Sequence, residues 1–109
     1  MADDGAVVGY LILYQPIPMP SHSHALEING LAVDPARQGR GIGRRLVQAA
    51  QEEAQRRGAR KVSLRVLSPN LSARRLYESL GFVVEGVLVG EFRLEGRYVD
   101  DVLMAWHLP

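Results

Sequence analysis

The chain has no cysteine, which excludes disulfide cross-links, thiol nucleophiles and cysteine-ligated metals. Lysine is almost as scarce: of 13 basic residues only Lys61 is not an arginine. A formal net charge of +1 leaves no surplus for a nucleic-acid backbone. Long apolar runs are missing as well. Val7 to Leu13, interrupted by Gly9, is far short of the roughly 20 residues that span a bilayer as a helix. The opening Met1-Ala-Asp-Asp-Gly5 is acidic where a secretory signal is basic. Histidines at 22, 24 and 107 have no metal-ligand spacing, so no metal site is expected. What remains is 109 residues, 47% of them hydrophobic, enough for one core. These features predict a single soluble cytoplasmic domain with no nucleic-acid or membrane partner.

Periodicity divides the chain into alternating strands and helices. Val7 to Tyr14 reads as a strand, and prolines at 16, 18 and 20 make the next stretch a loop. Ala25 to Val33 is the second strand, with Gly30 at a bulge. A helix from Gly41 to Arg57 carries Ile42, Leu46, Ala50 and Ala54 on one stripe and ends at Gly58. Arg56, Arg57 and Arg60 complement its negative end. Lys61 to Val66 alternates as a strand. A second helix carries Ala73, Leu76, Tyr77 and Leu80 on one face and stops at Gly81. Phe82 to Leu94 and Arg97 to Leu108 form two long strands around Glu95-Gly96, a two-residue hairpin turn. The order is β-β-α-β-α-β-β, an α/β domain with helices packed on one mixed sheet.

Leu31-Ala-Val-Asp-Pro-Ala-Arg-Gln-Gly-Arg-Gly-Ile-Gly-Arg44 holds the densest chemical signal. A strand, a turn and glycines at 39, 41 and 43 open the first helix. Unpaired backbone N–H groups and the positive end of a helix dipole therefore meet where side chains have been removed, an arrangement suited to a phosphate. Arg37, Arg40, Arg44 and Arg45 surround it. It is not a Walker A loop, because Gly43 is followed by Arg44 and Arg45 instead of Lys and Ser or Thr. It is not a dinucleotide fingerprint either. The third glycine position holds Arg44, and the acidic ribose partner would fall on Arg60-Lys61-Val62.

Gln38-Gly-Arg-Gly41-Ile-Gly43 resembles the Q/R-x-x-G-x-G/A loop of the GNAT superfamily of acyl-CoA-dependent N-acetyltransferases. Downstream, Asn70-Leu-Ser-Ala73-Arg-Arg-Leu76-Tyr77-Glu-Ser-Leu-Gly81-Phe82 is similar to the family's N-x-x-A-x-x-L-Y-x-x-x-G-F segment, with one helix and one strand between the two. The resemblance runs from about Val7 to the C-terminus and implies a GNAT-like mixed sheet. It implies acetyl-CoA as cosubstrate, with the backbone of Gly39, Arg40, Gly41, Ile42, Gly43 and Arg44, introduced by Gln38, holding the pyrophosphate. It also implies that the main chain of Leu31 and Val33 pairs with the pantetheine arm and that the N–H of Leu31 meets the thioester oxygen.

On spacing alone Tyr77 completes an apolar stripe; the resemblance makes it the general acid that protonates the departing thiolate. Asn70 is a preferred helix N-cap, and the resemblance adds contact with the cofactor. Both roles coexist if its backbone caps the turn while its side chain reaches the pantetheine. Glu27, which counts by twos onto a face with Asn29, Leu31 and Val33, is the candidate base, a solvated strand charge and a water chain being the alternatives. Many members of the family that acetylate protein α-amines carry glutamate twelve residues before the tyrosine, where this chain has Arg65, which speaks against a protein N-terminus. The segment from Phe92 to Met104 resembles the hairpin of branches that modify small amines, free amino acids or ribosomal protein N-termini, and the resemblance implies a primary amine as acceptor, a small amine or amino acid.

The family's usual first strand and two helices, which wall the acceptor pocket, have no counterpart in this sequence. A non-catalytic acyl-CoA-binding or interaction module is therefore the second reading. The same gap predicts a homodimer, in which a second copy covers the acceptor side or pairs with the terminal strands through residues such as Val87, Leu88, Val89, Phe92, Val99, Leu103 and Trp106.

Overall fold

The computed structural model describes residues 2–3, 7–33 and 41–109. Its strands are β1 (Ala2–Asp3), β2 (Val7–Tyr14), β3 (Ala25–Val33), β4 (Lys61–Leu67), β5 (Val83–Leu94) and β6 (Arg97–His107). Its helices are α1 (Ile42–Arg56) and α2 (Leu71–Ser79). They form one mixed sheet in the order β1-β2-β3-β4-β6-β5. Only β3 and β4 run parallel, and α1 is the crossover that such a pair requires. The expected α/β order is present, with one strand more. Two residues of β1 pair with the outer edge of β2, too few to leave an alternation in the sequence. Among the described residues no helix is long and apolar enough to cross a membrane.

The alternation in β4 sets the two faces of the sheet. Val62, Leu64 and Val66 are buried with Leu26, Ile28 and Met104 beneath Val47, Ala50 and Ala54 of α1. Each such side chain taken from water contributes roughly 1.5–3 kcal/mol, less for alanine, so this layer dominates the stability. Helix α2 joins the same layer. Gln51 donates to the Leu80 carbonyl at 2.9 Å. At the start of α1, a Cβ on Gly43 would lie 3.6 Å from the Leu76 side chain, so the helices approach closely there. Lys61, Ser63 and Arg65 alternate onto the other face, which neither α1 nor α2 covers. The loop of residues 15–24 reaches over part of it, through Pro16, Ile17 and His22.

Three interruptions shape β3 and the terminal hairpin. Ile12 lies opposite Asn29, but Tyr10 lies opposite Ala32. Two steps along β2 therefore match three along β3, which puts a bulge at Gly30–Leu31, as expected for Gly30. The bulge corrects another expectation. The count by twos that would join Glu27 and Asn29 to Leu31 and Val33 is broken between them. In the hairpin, Glu95 and Gly96 both have positive φ, 51° and 78°, the turn whose twist matches its strands. The register of β5 on β6 shifts between Val84 and Gly86 and again between Leu88 and Phe92; at the latter the Asp100 carboxylate accepts from the Gly90 N–H at 2.9 Å.

The end of α2 explains the spacing of Tyr77, Gly81 and Phe82. Gly81 (φ 98°) takes the left-handed conformation after the helix. This lets the Phe82 N–H reach the Tyr77 carbonyl at 3.0 Å and the Gly81 N–H reach that of Glu78 at 3.1 Å, the two bonds of a Schellman closure. The Phe82 ring then meets the Tyr77 ring, with centroids 6.0 Å apart. A Cβ on Gly81 would lie 3.1 Å from Trp106 Cδ1. Gly81→Ala therefore combines left-handed strain with a tight contact, and about 1–3 kcal/mol of stability should be lost. Urea unfolding followed by the fluorescence of the single tryptophan, which this glycine touches, measures it as a lower midpoint at unchanged slope.

Candidate functional site

A site exists here because two parallel strands part company. β3 and β4 pair only through Ala25–Lys61, Leu26–Val62 and Glu27–Ser63. Beyond that point β3 follows β2 as far as the Gly9–Val33 pair, and β4 follows β6 as far as Leu67–Asp101. The bulge at Gly30–Leu31 bends β3 on its way. A cavity of about 510 Å³ opens in the gap, bordered by Glu27 and Asn29 on β3, by β4, and by Asn70, Ala73 and Tyr77 at α2. Its β3 wall is a strand edge inside a sheet, ready to receive an extended ligand as another strand. Leu31 and Val33 belong to this diverging stretch.

Asn70 and Tyr77 arrive at the cavity from one short helix. Asn70 Oδ1 accepts from the Ala73 N–H at 3.2 Å and from Ser72 Oγ at 3.2 Å. The expectation that its backbone would cap while its side chain stayed free is thus corrected. The side-chain oxygen is the cap, and the amide NH₂ is the part left to donate to a ligand. Tyr77 is 7% exposed, and burial raises its phenol above the ordinary value of 10.0. It keeps its proton throughout the neutral range. No hydrogen bond engages its hydroxyl among the described residues, so the proton is available to whatever enters the cavity.

Gly41, Ile42, Gly43 and Arg44 form the start of α1. Gly41 is its N-cap with φ 75° and no side-chain cap, so a ligand can take the place a capping oxygen would fill. Ile42 is a core side chain, 6% exposed, and only its backbone faces this end. The Arg44 guanidinium turns to α2, donating to Ser79 Oγ at 2.8 Å. Gln38, Gly39 and Arg40, with Arg37, lie outside the described residues.

Glu27 is no simple solvated charge. Its Oε2 accepts from the Tyr14 hydroxyl at 2.6 Å, and the two residues are directly opposed across β2 and β3. That hydrogen bond, burial and the Glu27 charge raise the Tyr14 phenol, while Arg65 and a contact with Asn29 pull it back. Arg65 in turn donates to Asp101 Oδ2 at 3.0 Å, and Asp101 is 2% exposed. Sequence reasoning missed Tyr14 and Asp101. Their partners lie 13 and 36 positions away, and a ten-residue loop (15–24) between β2 and β3 hid the register. Among the described residues no three metal-binding side chains gather.

Comparison with known proteins sets this geometry beside similar ones. Residues 1–82 match the acetyltransferase (GNAT) family. The L-methionine sulfoximine/L-methionine sulfone acetyltransferase of Salmonella typhimurium is 30% identical over 106 residues, 97% of this chain and 61% of that protein. The N-alpha-acetyltransferase RimI of Mycobacterium tuberculosis is 38% identical over 92 residues, 84% of this chain and 55% of that one. The solved structure of yncA from Salmonella typhimurium with its cofactor acetyl-CoA superposes with a TM-score of 0.89 at 30% identity, covering 99% of this chain and 62% of that chain. The chain therefore spans less than two thirds of the length of these relatives.

The cap on α2 offers a test of how the site is held. Asn70→Ala should lose about 0.5–2 kcal/mol, whereas Asn70→Asp keeps an accepting oxygen and should lose only a fraction of that. Equal losses in thermal or urea unfolding would mean that the Asn70 oxygen does not hold the helix.

Proposed function

The chain belongs to the acetyltransferase (GNAT) family, and from that premise we propose that it binds acetyl-CoA and transfers the acetyl group to a primary amine, either a small amine or an amino acid. The observation that carries this reading is the opening between β3 and β4, bordered on its α2 side by Tyr77 and Asn70. A pantetheine arm is an extended chain with two amides, and it suits the edge of β3 at Leu31 and Val33. The pyrophosphate then lies at the start of α1, on the N–H groups of the loop from Gly39 to Arg44, with Gln38 leading into it. The Asn70 NH₂ donates to the arm.

The chemistry follows from those positions. The amine nitrogen attacks the thioester carbonyl carbon, and the oxygen that gains charge accepts from the Leu31 N–H. The carbon–sulfur bond breaks, leaving the amide and a CoA thiolate. Tyr77 gives its proton to the sulfur and is reprotonated from water. Even an unshifted phenol donating to a thiolate whose acid lies near 8.5 runs uphill by roughly 2 kcal/mol, and burial raises Tyr77 further, so the transfer accompanies bond cleavage instead of following it. The proton shed by the amine passes to Glu27, directly or through water.

A homodimer extends the same reading. β5 is an edge strand, and it exposes Val83, Val87, Val89, Phe92 and Leu94, with Tyr98 beside them on β6. Apolar residues along an open edge favour a second copy of the same surface. Light scattering at micromolar concentration should give twice the 12.0 kDa of one chain, and a monomer at every concentration would remove the dimer.

Tyr77→Phe tests the enzyme against a module that only binds. The ring still packs on Phe82, so stability and acetyl-CoA affinity by calorimetry should barely change, while turnover should fall about a hundredfold. In the same assay Glu27→Gln should lower turnover while leaving acetyl-CoA affinity unchanged, since the group that takes the amine proton is then absent. Full turnover in Tyr77→Phe at every pH would reduce Tyr77 to a core residue. Acetyl-CoA binding with no product from any amine would favour the binding module.

A further inference from the structure

A second cavity, of about 410 Å³, lies on the face of the sheet opposite α1 and α2. It shares Glu27, Leu64 and Arg65 with the cavity between the diverging strands, so these residues stand where the two spaces meet. Ile17 from the loop and Leu103 from β6 give it apolar walls. Glu27 and Arg65 thus bring two opposite charges where the spaces meet, while the other two charged residues of the lining, Lys61 and Glu85, pair with each other at 3.0 Å. Among the described residues Arg65 is held from one side only. Its Nη1 donates to the buried Asp101 at 3.0 Å, while 53% of its side chain is exposed. A guanidinium has five N–H donors in a fixed plane. Among the described residues one acceptor is recorded for them, so an anchored fork faces the cavity with donors to spare. Glu27 brings an acceptor of the opposite sign, steadied through Oε2 by Tyr14. The Tyr14 phenol is raised by Glu27 and lowered by Arg65, so both charges act on one spot.

We infer that this second cavity receives the acceptor and is built for an α-amino acid: Arg65, anchored by Asp101, pairs with its carboxylate, Glu27 faces its amino group, and Ile17 and Leu103 border its side chain. The inference rests on the acetyl-transfer reading and names the substrate class of the same site. A planar fork matches a carboxylate through two parallel hydrogen bonds. The same fork repels a second ammonium group, so a diamine is disfavoured, and an amine without a carboxylate leaves the guanidinium unpaired. Amino acids thus differ from their decarboxylated amines by a charge-assisted pair, a difference that sites built around a polar partner exploit strongly.

The test compares L-leucine, 3-methylbutylamine (its decarboxylated form) and putrescine with the full chain and acetyl-CoA. Leucine should exceed both amines in kcat/KM by at least about tenfold. Arg65→Gln alone would leave Asp101 buried without its partner, so the informative variant is Arg65→Gln with Asp101→Asn. In that variant the leucine-to-amine ratio should fall to within about twofold of one, mainly through a higher KM for leucine. Arg65→Lys should keep part of the preference. Calorimetry with leucine and with 3-methylbutylamine provides a readout independent of turnover.

Equal kcat/KM for leucine and 3-methylbutylamine in the unaltered chain would overturn the inference, whether or not the double variant folds. An unchanged ratio in the folded double variant would overturn it as well, and so would a failure of leucine to bind. Binding that selects leucine over 3-methylbutylamine, with no acetyl transfer to any amine, would instead overturn the acetyl-transfer reading and uphold the carboxylate site.

Discussion

Three residue pairs between β3 and β4 hold the two antiparallel halves of the sheet in register, and everything functional depends on their number. Were pairing to continue along β3, the edge that receives a ligand would be consumed by the sheet itself. Were it absent, α1 would connect two sheets and not one. β3 leaves because β2 holds its other edge through a bulge, and β4 stays because β6 pairs with it along its whole length. Divergence is thus a tertiary outcome of two neighbours pulling in different directions.

Helix α2 turns that opening into a site. Its start is fixed by Asn70 and its end by the closure on Gly81. Both termini of a nine-residue helix are therefore determined by the same residues that border the cavity or pack on Tyr77. A helix this short is marginal in isolation, so capping and the Tyr77–Phe82–Trp106 aromatic cluster do for it what length does for α1. The motif around Tyr77 is at once structural and chemical, and neither account displaces the other.

The elements and their order were legible in the sequence because they rest on local rules. Periodicity fixed α1 and β4 to within a residue or two, Gly58 and Gly81 ended their helices, and Glu95-Gly96 turned the hairpin. The bulge at Gly30 was also readable, but its consequence for Glu27 was not, because a bulge changes the alternation that a period of two assumes. Tyr14–Glu27 and Arg65–Asp101 depend on register between strands far apart in the chain. No local pattern encodes such pairs. Arg65 looked like a departure from a familiar position until Asp101 gave its side chain a direction. Tyr77, conversely, was visible as an apolar stripe residue; it shares the cavity border with Ala73 of that stripe, and its hydroxyl is what distinguishes it there.

The early end of the β3–β4 pairing also changes how the backbone of β3 communicates with solvent. A strand in the middle of a sheet ordinarily shields its amide hydrogens on both sides. Here, beyond Glu27, those directed at β2 are locked in a ladder, and those directed into the gap are not. Protection from deuterium should therefore alternate along a strand that counts as interior by topology. A ligand that lies down as another strand would convert that alternation into uniform protection. The chain thus carries a built-in reporter of occupancy, written in the exchange rates of a single strand.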